Sequence, residues 1–337
     1  MIIDSVKLFN FRNHAAYTLQ CINNTSLILG ENGSGKTSVL EAIYILTQGK
    51  SFRATDPDII KRGTDFYRAE IIYSSGESSI VTYDGVTKTF TSMNKKTRRL
   101  PAKSKYPVVL FQPSDLNLID HAPSRRRTYF DRIFSQFNNS YATSLSRYDK
   151  AIRQRNELLK SDTITSDSVF SWNIILSKYG TDLYKMRNQF IQEINSLLTS
   201  TYRSIADNHD EVKINYHTNI NSIDDDKYLH ILESNFDKDH YLGHTSFGVH
   251  RDDFVFDFNN THADGSASRG ESRSLILALK FIEANLIYAK LGKRPIILLD
   301  DVFSELDPTR RKCLINNFQD NQVIITSVED VADIEEK

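Results

Sequence analysis

Gly30-Glu31-Asn32-Gly33-Ser34-Gly35-Lys36-Thr37 places three glycines, a lysine and a hydroxyl within eight consecutive positions. Glycines at this spacing let successive backbone N–H groups converge on an anion, because only glycine adopts the required dihedrals cheaply. In that arrangement Lys36 meets the β- and γ-phosphates as a point charge, Thr37 offers its hydroxyl to Mg²⁺, and a helix starting near Gly35 turns its positive end to the same phosphates. The chemistry is that of a nucleoside-triphosphate site. Glycine is scarce in the chain, 13 in 337 residues, so its concentration here is informative.

A second constellation lies near the other end. Ile296-Ile297-Leu298-Leu299 is an apolar run closed by Asp300 and Asp301. Two acids ending a buried strand suit a place where a cation or water must be held. The first can bind Mg²⁺ through water, and the second can orient an attacking water. Between the two, Ser266-Ala267-Ser268-Arg269-Gly270-Glu271 opens an apolar helix expected from about Ser272 to Leu291. Ser268 and Gly270 there read either as an ordinary helix cap or as a second phosphate contact.

The elements that position these groups are legible from periodicity. The apolar run of residues 26–29 predicts a strand before the phosphate loop, and Val39, Leu40, Ile43, Ile45 and Leu46 predict a helix after it. Strands are also expected at Ile2 to Phe11, near Tyr17 to Leu19, in two or three segments of residues 66–92 with Asp84-Gly85 as a hairpin turn, and at Val108 to Phe111. Arg12 and Asn13 fall in the turn after the first strand, which spacing alone reads as a plain hairpin turn. From about 114 to 240 the pattern becomes helical, polar and tyrosine-rich, with an amphipathic stretch from Val169 to Ile205. Strands resume near Phe254, Phe256 and Phe258, and a last strand is expected over residues 322–326.

Bulk composition excludes several classes. With 42 basic and 43 acidic residues the formal net charge is −1, so nucleic-acid binding must come from a local patch. Two places offer one. Lys95, Lys96, Arg98, Arg99, Lys103 and Lys105 occur with no acid among residues 95–105, which reads as a phosphate-tracking patch or a solvated hairpin tip. Arg125, Arg126 and Arg127 sit at an expected helix start, an unfavourable end for cations unless an anion is near. Cys21 and Cys313 have no metal-ligand spacing and read as reduced thiols, and His240 with His244 lacks a third ligand in register. The first residues lack a secretory pattern and no run approaches a membrane span, so a cytoplasmic protein without a membrane partner is expected.

In this order the motifs resemble the ATP-binding cassette superfamily and its SMC-type ATPase heads, most closely the RecF family of bacterial recombination mediators. The resemblance rests on residues 9–13, the phosphate loop, Ser51-Phe52-Arg53, Phe111-Gln112-Pro113 as a Q-loop, Arg125 to Arg127, and Gly248-Val249-His250-Arg251-Asp252-Asp253. It continues through Ser268 to Glu271 as the signature, Asp300-Asp301, and Ser304 to Asp307 as a D-loop. It implies an α/β P-loop ATPase head, a mixed sheet around a central helix, built from residues 1–113 and 241–337, with a helical lid inserted at 114–240.

The resemblance also implies ATP and Mg²⁺ as cofactors, with Arg12, Asn13, Ser268, Gly270 and Asp307 added to the loop residues Gly30 to Thr37 as nucleotide contacts. Gln112 joins Thr37 and Asp300 at the metal and, with Lys36 and Asp301, serves catalysis. Ser268 would act in trans, closing an ATP-dependent homodimer on single-stranded and gapped or junction DNA. Partners RecR and RecO, recombinase loading, fork maintenance, the SOS response and a weak DNA-stimulated ATPase follow from the same likeness. Glu271 replaces the usual glutamine, and Thr326 and Ser327 stand where many transporter cassettes carry a histidine. An ATPase subunit of a membrane transporter is the alternative class.

Overall fold

Ile3, Val6, Leu8 and Phe11 are the buried apolar side chains of strand β1 (Ile3–Phe11), whose alternation is interrupted by a register shift between Ile3 and Ser5, and the first sheet grows from it. The computed structural model describes residues 2–328 except 22–23, 93–94, 121, 221–223 and 264–266. Ser266, at the start of the expected signature, lies outside them. The chain divides into two compact units, Met1–Asp115 with Glu283–Lys337, and Leu116–Ile282. The first boundary lies two residues from the expected 113/114. The second lies beyond the expected 240/241, so residues 241–282 belong with the helical unit.

The first unit contains β2 (His14–Gln20), β3 (Thr25–Leu29), α1 (Lys36–Gln48), α2 (Asp56–Ile59), β4 (Tyr67–Tyr73), β5 (Ser78–Tyr83), β6 (Lys88–Ser92), β7 (Lys95–Thr97) and β8 (Val108–Phe111). A six-stranded antiparallel sheet runs β2-β1-β4-β5-β6-β7. Asp84 makes the β5–β6 turn by accepting the N–H groups of Val86 and Thr87 at 3.0 and 2.7 Å.

A separate parallel sheet orders β3 and β8 with two strands from the far end of the chain, β12 (Ile296–Asp300) and β13 (Val323–Ser327), as β3-β13-β12-β8. Strands β8, β12 and β13 are buried along their whole length, as suits strands covered on both faces, while β3 at the sheet edge is buried only at alternate positions. The expected mixed sheet is thus two sheets of opposite kind, with α1 contacting strands of both. Residues 38–47 of α1 are all buried, as suits a helix that is apolar nearly all round. Gln322 joins the sheets. Its side chain accepts from the Ile3 N–H at 2.8 Å and donates to the Ile3 carbonyl at 2.7 Å, standing in for a ladder partner.

The second unit holds α3 (Pro123–Phe137), α4 (Asn139–Leu158), the 41-residue α5 (Ser166–Ala206), β9 (Val212–His217), α6 (Asp225–Ser234), α7 (Phe236–Leu242), β10 (Asp253–Phe258) and β11 (Thr261–His262). It also holds the start of α8 (Arg269–Leu291), while α9 (Pro308–Phe318) lies in the first unit. Its core is aromatic, with Phe130, Phe134, Phe190 and Phe254 linked by ring contacts.

Two fully buried arginines thread this unit. Arg155 donates to Asn173, Asp239 and Thr245 at 2.7, 2.8 and 2.7 Å. Arg187 donates to Asp131 at 2.8 Å, to Asp252 at 3.1 Å and to the Val249 carbonyl at 2.8 Å. The loop 248–252 is therefore held by side chains from several helices. Tyr148 and Tyr228 meet at 3.1 Å beside Gly248, and the Tyr148 hydroxyl is 2.7 Å from His250 Nδ1. His250 Nε2 lies 3.1 Å from the Thr245 carbonyl, so Nε2 carries the proton and Nδ1 accepts from tyrosine.

Burial, aided by the charges of Arg251 and Arg127, lowers the His250 pKa from 6.5 to about 4. The unfolded chain therefore binds a proton that the folded one refuses, and stability falls as pH drops from 6.5 toward 4. The loss integrates to about 3 kcal/mol. Urea melts across that range check it. His250→Gln should flatten the pH dependence, and an unchanged slope in that variant would remove His250 as the cause.

Candidate nucleotide site

Parallel registry sets the first unit's working end. Leu29 pairs with Ser327, Thr326 with Asp300, and Leu299 with Phe111, so strand ends carrying the phosphate loop, both acids and Gln112 lie level. Ligands in open α/β sheets bind beyond these carboxyl ends. Gly33 and Gly35 have φ of +84° and +103°, and a Cβ at Gly35 would lie 2.3 Å from His14 Nε2 and 2.5 Å from Asn13 Oδ1. Both neighbours brace the loop. Asn13 donates to the Gly33 carbonyl at 3.0 Å, and His14 Nε2 lies 3.1 Å from the Gly35 carbonyl.

Lys36 is buried and folds back on the loop, donating to the carbonyls of Gly30 and Glu31 at 2.7 and 3.1 Å. Its Nζ lies 3.8 Å from Asp301 Oδ1. Thr37 donates to Asp300 Oδ1 at 2.7 Å, uniting residues 263 positions apart. These hard oxygens fit a magnesium donor set completed by water. Among the described residues no cluster of three His, Cys, Asp or Glu forms a metal cage. His240 and His244 instead meet the carbonyls of Ser161 and Leu242.

Thr326, noted in the sequence only as standing where a histidine is common, is the residue whose role sequence reasoning missed here. Its hydroxyl is 3.1 Å from Asp300 Oδ1 and accepts the Asp301 N–H at 2.9 Å, so one side chain orders both acids. The polar pair Thr326-Ser327 ending the apolar run of β13 was the available signal. Asp301 takes a left-handed φ of +51°, and its buried Oδ1 has no hydrogen-bond partner among the described residues. Burial raises its carboxyl above the ordinary value, with Asp300 adding to the rise and Lys36 opposing it.

A cavity of about 640 Å³ opens over this machinery, lined by Arg12, Asn13, Gly33, Gly35, Lys36, Thr37, Ser38, Arg53 and Asp301 among others. Arg12, whose turn spacing alone reads as plain, therefore faces the site, and so do Lys61 and Arg62. Glu31, Asn32 and Ser34 form the exposed crest of the loop. Gln112 is held by its backbone N–H on Asp115 at 3.1 Å and is not among the residues lining the cavity. Asp307 caps α9 by accepting the Arg310 N–H at 3.1 Å.

In the second unit, Ser268 and Glu271 form a reciprocal capping box: Ser268 Oγ accepts the Glu271 N–H at 3.2 Å, and Glu271 accepts the Ser268 N–H at 2.6 Å. Glu271 thereby has a structural task. Gly270 lies in the first turn of α8, which begins at Arg269, three residues before the expected start.

The basic groups separate. Lys95, Lys96, Arg98 and Arg99 lie on the edge strand β7 and just past it, and all four are exposed. Arg126 is buried and forks onto Asp253 at 2.8 and 2.6 Å while donating to the Ile119 carbonyl. That corrects the reading of Arg126 as a DNA contact, because its guanidinium is spent inside the unit. Arg127 donates to the Asp252 carbonyl, and Arg125 is exposed. At this helix start Arg126 is therefore answered by the Asp253 carboxylate and Arg127 by the Asp252 backbone.

The family model described as RecF/RecN/SMC N terminal domain matches residues 2–333. The DNA replication and repair protein RecF of Clostridium novyi is 34% identical over 339 residues, covering 97% of this chain and 92% of that protein. The protein of the same name from Clostridioides difficile is 32% identical over 349 residues, covering 98% and 92%. Among solved structures, "Structure of the recombination mediator protein RecF-ATPrS in RecFOR pathway" is similar with a TM-score of 0.88 and 25% identity, over 99% of this chain and 94% of that one. The corresponding RecF-ATP structure gives a TM-score of 0.87 with 26% identity, over 98% and 92%. An Smc head domain from Pyrococcus furiosus shares the fold at a TM-score of 0.51 with 15% identity, over 98% and 90%. On the family match and the curated relatives together, the chain belongs to the RecF family within the RecF/RecN/SMC group.

Proposed function

We propose that this chain is an ATP-gated DNA clamp of recombinational repair. The carrying observation is the meeting of Thr37 with Asp300 at 2.7 Å under a phosphate loop, with Asp301 Oδ1 buried beside Lys36. Thr37 and Asp300 would hold Mg²⁺, with Gln112 nearby in register, and the ion would supply neutralisation of the triphosphate's charge. Lys36 exchanges its loop carbonyls for phosphate oxygens. Asp301, whose raised pKa makes it a better proton acceptor, orients water for slow hydrolysis.

Ser268 and Gly270 of a second copy close over the γ-phosphate, and Asp307 sits at the same junction. ATP therefore joins two heads and ADP does not. Shifting such an equilibrium from 1:99 to 99:1 needs about 5.5 kcal/mol of differential binding, which γ-phosphate contacts at two sites can supply. The dimer grips single-stranded and gapped or junction DNA in the cytoplasm and works with RecR and RecO. Support comes from the names of the solved relatives, which place them in the RecFOR pathway with bound nucleotide.

DNA binding tests this reading. Affinity for a gapped duplex should be higher with ATP than with ADP and should fall steeply with salt. Replacing Lys95, Lys96, Arg98 and Arg99 by glutamine should flatten the slope of log affinity on log salt by roughly 0.9 for every DNA phosphate that is no longer neutralised. An unchanged slope in that variant would remove the β7 edge from the interface, and equal binding with ATP and ADP would contradict the gating.

A further inference from the structure

Glu41 lies one turn beyond Thr37 on α1, and its side chain is 0% exposed. It accepts from Arg12 Nε and a terminal nitrogen at 2.9 and 2.8 Å, from Arg53 through both kinds of nitrogen at 3.1 and 2.9 Å, and from Ser51 Oγ at 2.6 Å. Five donors on a carboxylate with about four lone-pair sites saturate it. Each arginine is placed by its own segment. Arg12 has a left-handed φ of +57°, its N–H donates to the Ile59 carbonyl at 2.7 Å and its guanidinium to that of Asp58 at 2.7 Å. Ser51 Oγ accepts the N–H groups of Arg53 and Ala54, both at 3.1 Å, which fixes the loop after α1.

Two guanidinium groups on one carboxylate leave a net positive charge on the cluster, and both arginines line the cavity that holds Lys36 and Thr37; Asp58 and Asp301 line it too, but Lys36, Lys61 and Arg62 keep its wall cationic. A core that needed only a satisfied acid would need one arginine. A buried carboxylate gathering two cations at the wall of a cavity suits an anion that enters it. Burial alone would raise the Glu41 pKa, but the hydrogen bonds of Arg12, Ser51 and Arg53 outweigh it and hold the acid ionised below the usual range.

We propose that Glu41 is a positioning residue that sets Arg12 and Arg53 as a paired cationic wall for the phosphate oxygens of the bound nucleotide. The proposal rests on the nucleotide reading above and names a subsite within it.

The test is binding of a fluorescent ATP analogue with Mg²⁺ to the full chain. Glu41→Gln and Arg53→Ala should each weaken it at least about tenfold, as expected when a charge-assisted hydrogen bond is removed. Millimolar guanidinium should restore binding to Arg53→Ala while Glu41 is present, and should fail in the Glu41→Gln, Arg53→Ala double variant. A merely structural Glu41 would not make rescue depend on its charge. Binding by Glu41→Gln within twofold of the parent overturns the proposal, as does equal rescue in both backgrounds. Should Glu41→Gln fail to fold, rescue of Arg53→Ala alone supports the proposal and absence of rescue overturns it. Lys36→Met separates the two readings. If that variant binds like the parent, the nucleotide site itself fails, whatever Glu41 does.

Discussion

Replacing Lys36 by methionine should weaken ATP binding roughly hundredfold, close to 2.8 kcal/mol at 1.4 kcal/mol per decade. The ammonium is buried and already satisfied by two loop carbonyls at 2.7 and 3.1 Å, so it is desolvated before the nucleotide arrives. Its exchange onto phosphate then carries little further dehydration cost, and charge-assisted contacts in such a setting are strong. Methionine keeps the unbranched stem, so the loop's packing should survive. Calorimetric titration checks the affinity and a thermal melt checks the fold. A weakening below threefold with an unchanged melt would mean that the loop does not bind triphosphate through Lys36.

The largest stability effect is expected away from the site, at Gly248. Its φ of +130° and ψ of 174° belong to a region open almost only to glycine. A Cβ there would lie 2.3 Å from the Tyr228 hydroxyl and 2.4 Å from that of Tyr148, both rings being fully buried. Backbone strain and overpacking act together, so Gly248→Ala should cost about 3 kcal/mol or more. Chemical denaturation measures it. A cost under about 1 kcal/mol, the low end for overpacking, would show that the tyrosines can withdraw, and that the loop 248–252 is not pinned as its hydrogen bonds indicate.

The contrast between these positions explains what the sequence could disclose. Local chemistry was legible: the glycine spacing of residues 30–35, the apolar run into Asp300 and Asp301, the strand at Val108–Phe111 and the long helix, expected over residues 169–205 and found at Ser166–Ala206, all depend on neighbours in the chain. Contacts set by register or distant packing were not. Thr326 meets the acids because β13 lies beside β12, and no periodicity within either strand predicts that neighbour. Glu41 reads as one polar residue in an apolar helix until segments from both sides deliver Arg12 and Arg53. Arg126 misled because charge at a helix start suggests an external anion, while its partner Asp253 waits 127 residues later. Glu271, an oddity by motif, is ordinary once its bond to the Ser268 N–H is known.

The central claim is that a complete nucleotide site needs two copies of the chain. Light scattering on the parent, Lys36→Met and Ser268→Arg proteins at micromolar concentration addresses it most directly. With ATP and Mg²⁺ the parent should double in mass, ADP should leave it monomeric, and each variant alone should stay monomeric. An equimolar mixture of the two variants should recover dimer, because Lys36 of one copy and Ser268 of the other rebuild one intact site. A parent that stays monomeric with ATP, a Ser268→Arg protein that dimerises as well as the parent, or a mixture no better than its components would contradict the account.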